Sequence, residues 1–75
     1  MRIYRYRSPI GHFRVEPQDD GRWALWFKEE ILGSYHSPVA AADDVYTQST
    51  GDYDWDSLRG ADIPTDIYEW ESFEQ

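Results

Sequence analysis

Three groups of residues in this chain of 75 residues could carry chemistry if the fold positions them. Asp52, Asp54 and Asp56 alternate along the chain, a spacing that can gather three hard oxygens and opens a calcium loop. The pattern then stops. An EF-hand needs glycine at its sixth position and a bidentate glutamate at its twelfth, and those places hold Ser57 and Ile63. His12 and His36, with Ser34, Ser37 and Asp44 close in the chain, supply the types of a nucleophile, a base and an orienter. Their spacing fixes no such arrangement. The third group is basic and aromatic: Arg5, Arg7, Arg14, Arg22 and Lys28 interleave with Tyr4, Tyr6, Trp23 and Trp26. A sheet uses this mixture to hold anions and to stack on rings.

Cysteine is absent and the five glycines stand apart, so there is no thiol nucleophile, disulfide framework or phosphate-cradling loop. The sequence thus predicts no enzyme, no catalytic residue, no cofactor and no metal. A membrane span needs roughly 20 consecutive apolar residues, and a secretory signal an apolar stretch of about 7 to 15 behind a basic start; neither run occurs. The expectation is a cytoplasmic protein with no membrane partner.

The formal net charge of −8 comes from 15 acids against 7 bases. Residues 1–28 carry six basic and three acidic groups, a net +3, whereas residues 29–75 carry one basic and twelve acidic groups, a net −11. Such asymmetry is either balanced inside the molecule or offered to a charged partner. Thirteen aromatic residues outnumber eleven branched aliphatics. Each aromatic can bury about 150 to 250 Å², so a few large rings can build the core of a small chain.

The elements that must position these residues follow from periodicity. Residues 2–7, 12–16, 22–28 and 31–35 alternate as strands, broken by Ser8-Pro9, by Asp19-Asp20-Gly21 and by Glu29-Glu30. Ser37-Pro38 reads as a helix start, with a hydroxyl cap and a proline whose φ is preset. The helix should run from Pro38 to about Thr50, stop at Gly51, and leave Asp43 and Asp44 solvated. The predicted fold is α+β in a single domain over 1–75: a basic strand-rich part (1–36) forming an antiparallel meander of three to four strands, one α-helix (37–51), and an acidic aromatic C-terminal tail (52–75). Phe13, Val15, Trp23, Leu25, Phe27, Ile31, Tyr35, Ala41, Ala42 and Val45 are the expected core.

The tail repeats itself. Tyr53-Asp54-Trp55-Asp56-Ser57-Leu58 and Tyr68-Glu69-Trp70-Glu71-Ser72-Phe73 both read Tyr-acid-Trp-acid-Ser-apolar. Either the tryptophans dock on the body or they form a ligand motif for a partner. Thr65 can cap a last helical turn with Ile67, Trp70 and Phe73 on its buried side.

The segment Leu32-Gly33-Ser34-Tyr35-His36-Ser37-Pro38-Val39-Ala40-Ala41-Ala42 resembles the strand-to-helix junction of plant ethylene-response-factor type DNA-binding domains. That resemblance implies a three-stranded sheet backed by a helix, with arginines and tryptophans of the sheet reading DNA. Those domains are basic, however, and phosphate neutralisation supplies most of their affinity, which a chain of −8 opposes. Gly33, Tyr35, Ser37, Pro38, Ala41 and Ala42, followed by Trp55, Asp56 and Leu58, resemble small uncharacterised bacterial proteins with a Gly-x-Tyr-x-Ser-Pro-x-x-Ala-Ala segment. That likeness implies a fold and a bacterial origin, and no mechanism.

The resulting expectation is a non-enzymatic interaction module with a protein partner, its oligomeric state left open. Its candidate contact residues are Arg14, Arg22, Trp26 and Lys28 on the sheet and Trp55 and Trp70 in the tail. Two alternatives draw on the charge: an acidic mimic of nucleic acid that inhibits a DNA-binding protein, and direct nucleic-acid binding by the basic sheet face.

Overall fold

The computed structural model describes residues 2–74. Five antiparallel strands, β1 (Arg2–Ser8), β2 (Gly11–Pro17), β3 (Trp23–Phe27), β4 (Glu30–Tyr35) and β5 (Glu71–Glu74), form one sheet in the order β4-β3-β2-β1-β5. Between β4 and β5 the chain forms α1 (Pro38–Thr47), the four-residue helix α2 (Tyr53–Asp56) and a 3-10 turn at Ile67–Glu69. This is the expected α+β architecture, an antiparallel meander packed by one main helix. It is wider than expected, because the tail supplies a fifth strand beside β1.

Alternation sorts the side chains. Phe13 opposite Phe27 and Val15 opposite Leu25 point to the covered face, and Arg14 opposite Trp26 to the open one. The turn before β3 uses Gly21 at φ 83°. In β4, Leu25 pairs with Gly33 but Trp26 pairs with Ile31, which leaves Leu32 as an extra residue. A bulge of one residue exchanges the two faces of a strand. Leu32 therefore packs against the core, while Ile31, expected inside, is 52% exposed. Trp23 and Tyr35 pack half-buried against the core, and the other seven expected core residues are buried.

Ser37 Oγ accepts from the Ala40 N–H at 3.2 Å, and Pro38 opens α1. The helix ends three residues earlier than predicted. Gln48 takes the left-handed conformation at φ 58°, and its side-chain amide donates to the carbonyls of Trp55 (2.8 Å) and Leu58 (2.7 Å). Gly51 lies in the loop beyond. Asp44 is not simply solvated, since it accepts from the Tyr35 hydroxyl at 2.8 Å. Gly33 makes room for that ring: a Cβ there would lie 3.1 Å from it.

The tail docks through its tryptophans. Trp55 is fully buried, its ring 4.8 Å from Phe13 and 6.1 Å from Tyr6, each edge-to-face, and its indole N–H donates to the Val45 carbonyl at 3.0 Å. Trp70 lies 5.6 Å from Tyr6. The expected last helical turn is instead a 3-10 turn capped by Asp66, which accepts from the Tyr68 N–H at 2.9 Å, followed by β5. Ile67 and Trp70 are buried as expected. Phe73 is not, because strand alternation puts it opposite Ile3 on the open face, 43% exposed.

Burial first, then the hydrogen bond to Asp44 and its charge, hold the Tyr35 hydroxyl well above its ordinary pKa of 10.0. The unfolded chain releases this proton before the folded one does, so the bond's contribution is complete below pH 10.0 and is lost as pH rises beyond it. Denaturant titrations from about pH 8 to about pH 11.5 should therefore show wild type losing its stability advantage over Tyr35→Phe as pH climbs. A constant gap across that range would refute the assignment.

Candidate functional site

Two of the three alternating aspartates, Asp52 and Asp56, are scaffolding in this fold. Asp52 caps α2 by accepting from the Trp55 N–H at 3.0 Å. Asp56 Oδ1 accepts from the Thr50 N–H (3.0 Å) and hydroxyl (2.8 Å), and Oδ2 from the Gly51 N–H (2.8 Å). Together with Gln48 they fix the loop that inserts Trp55 beneath the sheet. Among the described residues, no group of three or more His, Asp or Glu is arranged to hold a metal ion. His12 and His36 are both exposed at strand ends.

The helices and tail cover one face of the sheet and leave the other open. Across that open face the register aligns Glu71, Arg5, Arg14, Trp26 and Ile31 as one row spanning all five strands. Arg14 lies over the Trp26 ring at 4.8 Å while its Nε donates to Glu16 at 2.9 Å. Arg5 lies over Phe73 at 4.9 Å, with Nε buried, 3.8 Å from Glu71 and without a hydrogen-bond acceptor. Arg7 Nε is 3.5 Å from Glu71. The Arg14 and Arg5 guanidinium groups thus each sit over a ring and beside a carboxylate, the ring contact being worth about 0.5–1 kcal/mol at an exposed site.

The six candidate contact residues separate. Arg14 and Trp26 are adjacent at the centre of the open face. Lys28 stands at the tip of the β3–β4 turn, its Nζ 5.2 Å from the Phe27 ring. Arg22 lies by the other turn and is engaged with Ser34, at 2.8 Å to both the hydroxyl and the carbonyl. Trp55 and Trp70 belong to the opposite side and are 0% and 5% exposed. Neither protrudes as a ligand motif for a partner, so the tryptophans of the repeat are anchors, while its tyrosines stand exposed, Tyr53 at 81% and Tyr68 at 85%. Ile31 and Phe73 join the open face unforeseen, beside Arg5 of the basic aromatic group. The bulge and the β1–β5 register that place them depend on pairings far apart in the chain.

Comparisons with protein-family models, curated proteins and solved structures found no match. The surface itself is therefore what informs function. Its groups donate and stack, and two glutamates already answer its three arginines. No helix is long and apolar enough to cross a membrane among the described residues.

Removing Asp56 strips three donors of a charged acceptor, so Asp56→Ala should cost about 2 kcal/mol, while Asp54→Ala, in the same triplet but exposed, should stay within about 0.5 kcal/mol. Urea midpoints of the two variants measure this. Equal midpoints would show that the loop does not depend on Asp56.

Proposed function

We propose that this protein is a non-enzymatic interaction module that binds a partner protein through the open face of its sheet, centred on Arg14 and Trp26. The observation that carries the reading is the five-strand row from Glu71 to Ile31, in which arginines lie on aromatic rings. Tryptophan, tyrosine and arginine are the residues that most often dominate protein–protein binding, near the centre of an interface. Phosphate binding fits less well. Glu16 and Glu71 occupy the guanidinium groups, and the whole chain is at −8, whereas affinity for nucleic acid rests on uncompensated positive charge.

A photo-crosslinking amino acid placed at Ile31, and separately at Tyr53 on the acidic side, tests the reading in the native cell. Adducts from position 31 that vanish with Trp26→Ala support it. In a purified complex that substitution should weaken binding by about 2 kcal/mol, roughly 30-fold. Adducts from position 53 alone would favour the acidic-mimic alternative. Saturable oligonucleotide binding at low salt that Arg14→Glu abolishes would favour nucleic acid.

A further inference from the structure

A second feature lies on the covered side, where β5 meets β1. Arg2, Tyr4, Ile67, Tyr68, Trp70 and Ser72 line an open cleft of about 200 Å³. Ile67 and Trp70 are buried there, Tyr4 is half-buried, and Tyr68 stands 85% exposed. The lining is rich in donors and contains no carboxylate. Arg2 Nη1 donates to Ser72 Oγ at 3.0 Å, and Nη2 lies 3.2 Å from Glu74 in a pair whose side chains are 49% and 66% exposed. A pair so exposed is weak and screened by salt. A guanidinium has five N–H donors, so Arg2 can take a further acceptor.

The Trp70 indole N–H is buried without any acceptor. Trp55, its counterpart in the repeat, satisfies its own N–H on the Val45 carbonyl. Two otherwise matched tryptophans therefore differ in one respect: the Trp55 N–H has an acceptor, and the Trp70 N–H, closed off from solvent, has none.

We propose that this cleft binds a carboxylate carried on a flat apolar body. Arg2 takes the carboxylate, since charge-assisted bonds from guanidinium to carboxylate are the strong ones. The Tyr4, Tyr68 and Trp70 rings that line the cleft hold the apolar body. The volume sets the scale. Ligand pockets for drug-sized molecules run to about 300–1,000 Å³, and at roughly 30 Å³ per water this cleft holds about seven. It suits an aromatic acid of around ten non-hydrogen atoms, either free or as the aromatic C-terminal residue of a peptide. The inference uses the side of the molecule opposite the proposed docking face and stands or falls separately from it.

Titration of the full chain with phenylacetate, followed by the indole and backbone amide signals in nitrogen–proton correlation spectra, tests it. The Trp70 indole and the Ser72 amide should shift saturably, half-saturating in the roughly millimolar range expected for so small a ligand, while the Trp55 indole stays still. Phenylacetamide, isosteric and uncharged, should bind at least roughly tenfold more weakly, and Arg2→Met should weaken phenylacetate by a similar factor. A second arm compares N-acetyl-Gly-Phe, carboxylate free, with its amide; tighter binding than phenylacetate assigns the source to a peptide terminus, and weaker binding to a free acid. Absence of a saturable shift, equal binding of acid and amide, or binding unaffected by Arg2→Met in a folded variant would overturn the proposal.

Discussion

Everything else in this molecule depends on the insertion of the Trp55 ring against Phe13, Phe27 and Tyr6. A domain of this length has stability of the order of 4–11 kcal/mol at about 0.05–0.15 kcal/mol per residue. Truncating one buried large aromatic costs about 3–5 kcal/mol. One ring is thus comparable with the whole margin. Its neighbours explain why: α1 is anchored through the Val45 carbonyl that the indole engages, and the loop after α1 is anchored through Gln48, which holds the Trp55 carbonyl.

The need to deliver that ring accounts for much of the acidity that makes the sequence look like a ligand-binding or disordered tail. Asp52 and Asp66 each accept from a backbone N–H at the start of a short helical turn, and Asp56, at the end of α2, reaches back to the Thr50 and Gly51 N–H groups of the preceding loop. Turns of three or four residues have no cooperative helix to sustain them, so a side-chain acceptor at the start is what defines them. Two of the remaining tail acids meet the basic front directly: Glu71 faces Arg5 and Arg7, and Glu74 faces Arg2. The +3 and −11 halves of the chain are therefore joined across the β1–β5 seam, and part of the imbalance is settled within the molecule.

What was legible in the sequence is what short-range chemistry decides. Alternation from Phe13 to Phe27, the Asp-Gly turn and the Ser37-Pro38 cap each depend on neighbours within a few residues, and each forms as read. The misreadings share a different physics. Ile31 leaves the core because Leu32 bulges, a choice settled by how β4 fits β3 as a whole. Phe73 leaves it because residues 71–74 find an open strand edge at β1, about seventy positions earlier in the chain, which no local periodicity encodes. The candidate site was legible by residue type, since Arg14 and Trp26 are adjacent on an open face. It was not legible by membership: burial removed Trp55 and Trp70, and the Ser34 contact drew Arg22 aside.

A chain this small buries only about 60% of its unfolded surface, and one helix with a folded-back tail suffices to cover one face of a five-stranded sheet. The other face must meet water, and antiparallel sheets ordinarily do so with a plain polar alternation. Here the open face keeps Trp26, Ile31 and Phe73, and it lays Arg14 and Arg5 over the two rings among them. The aliphatic stems of arginine can cover apolar surface while the charged heads stay hydrated. The same arrangement keeps the open face hydrated and, on the proposed docking, would let a partner gain apolar area once the arginines turn toward its own acceptors. A face built only for water would need none of these three apolar side chains, and their retention opposite a core that already satisfies the fold is the physical reason to look for function on that side.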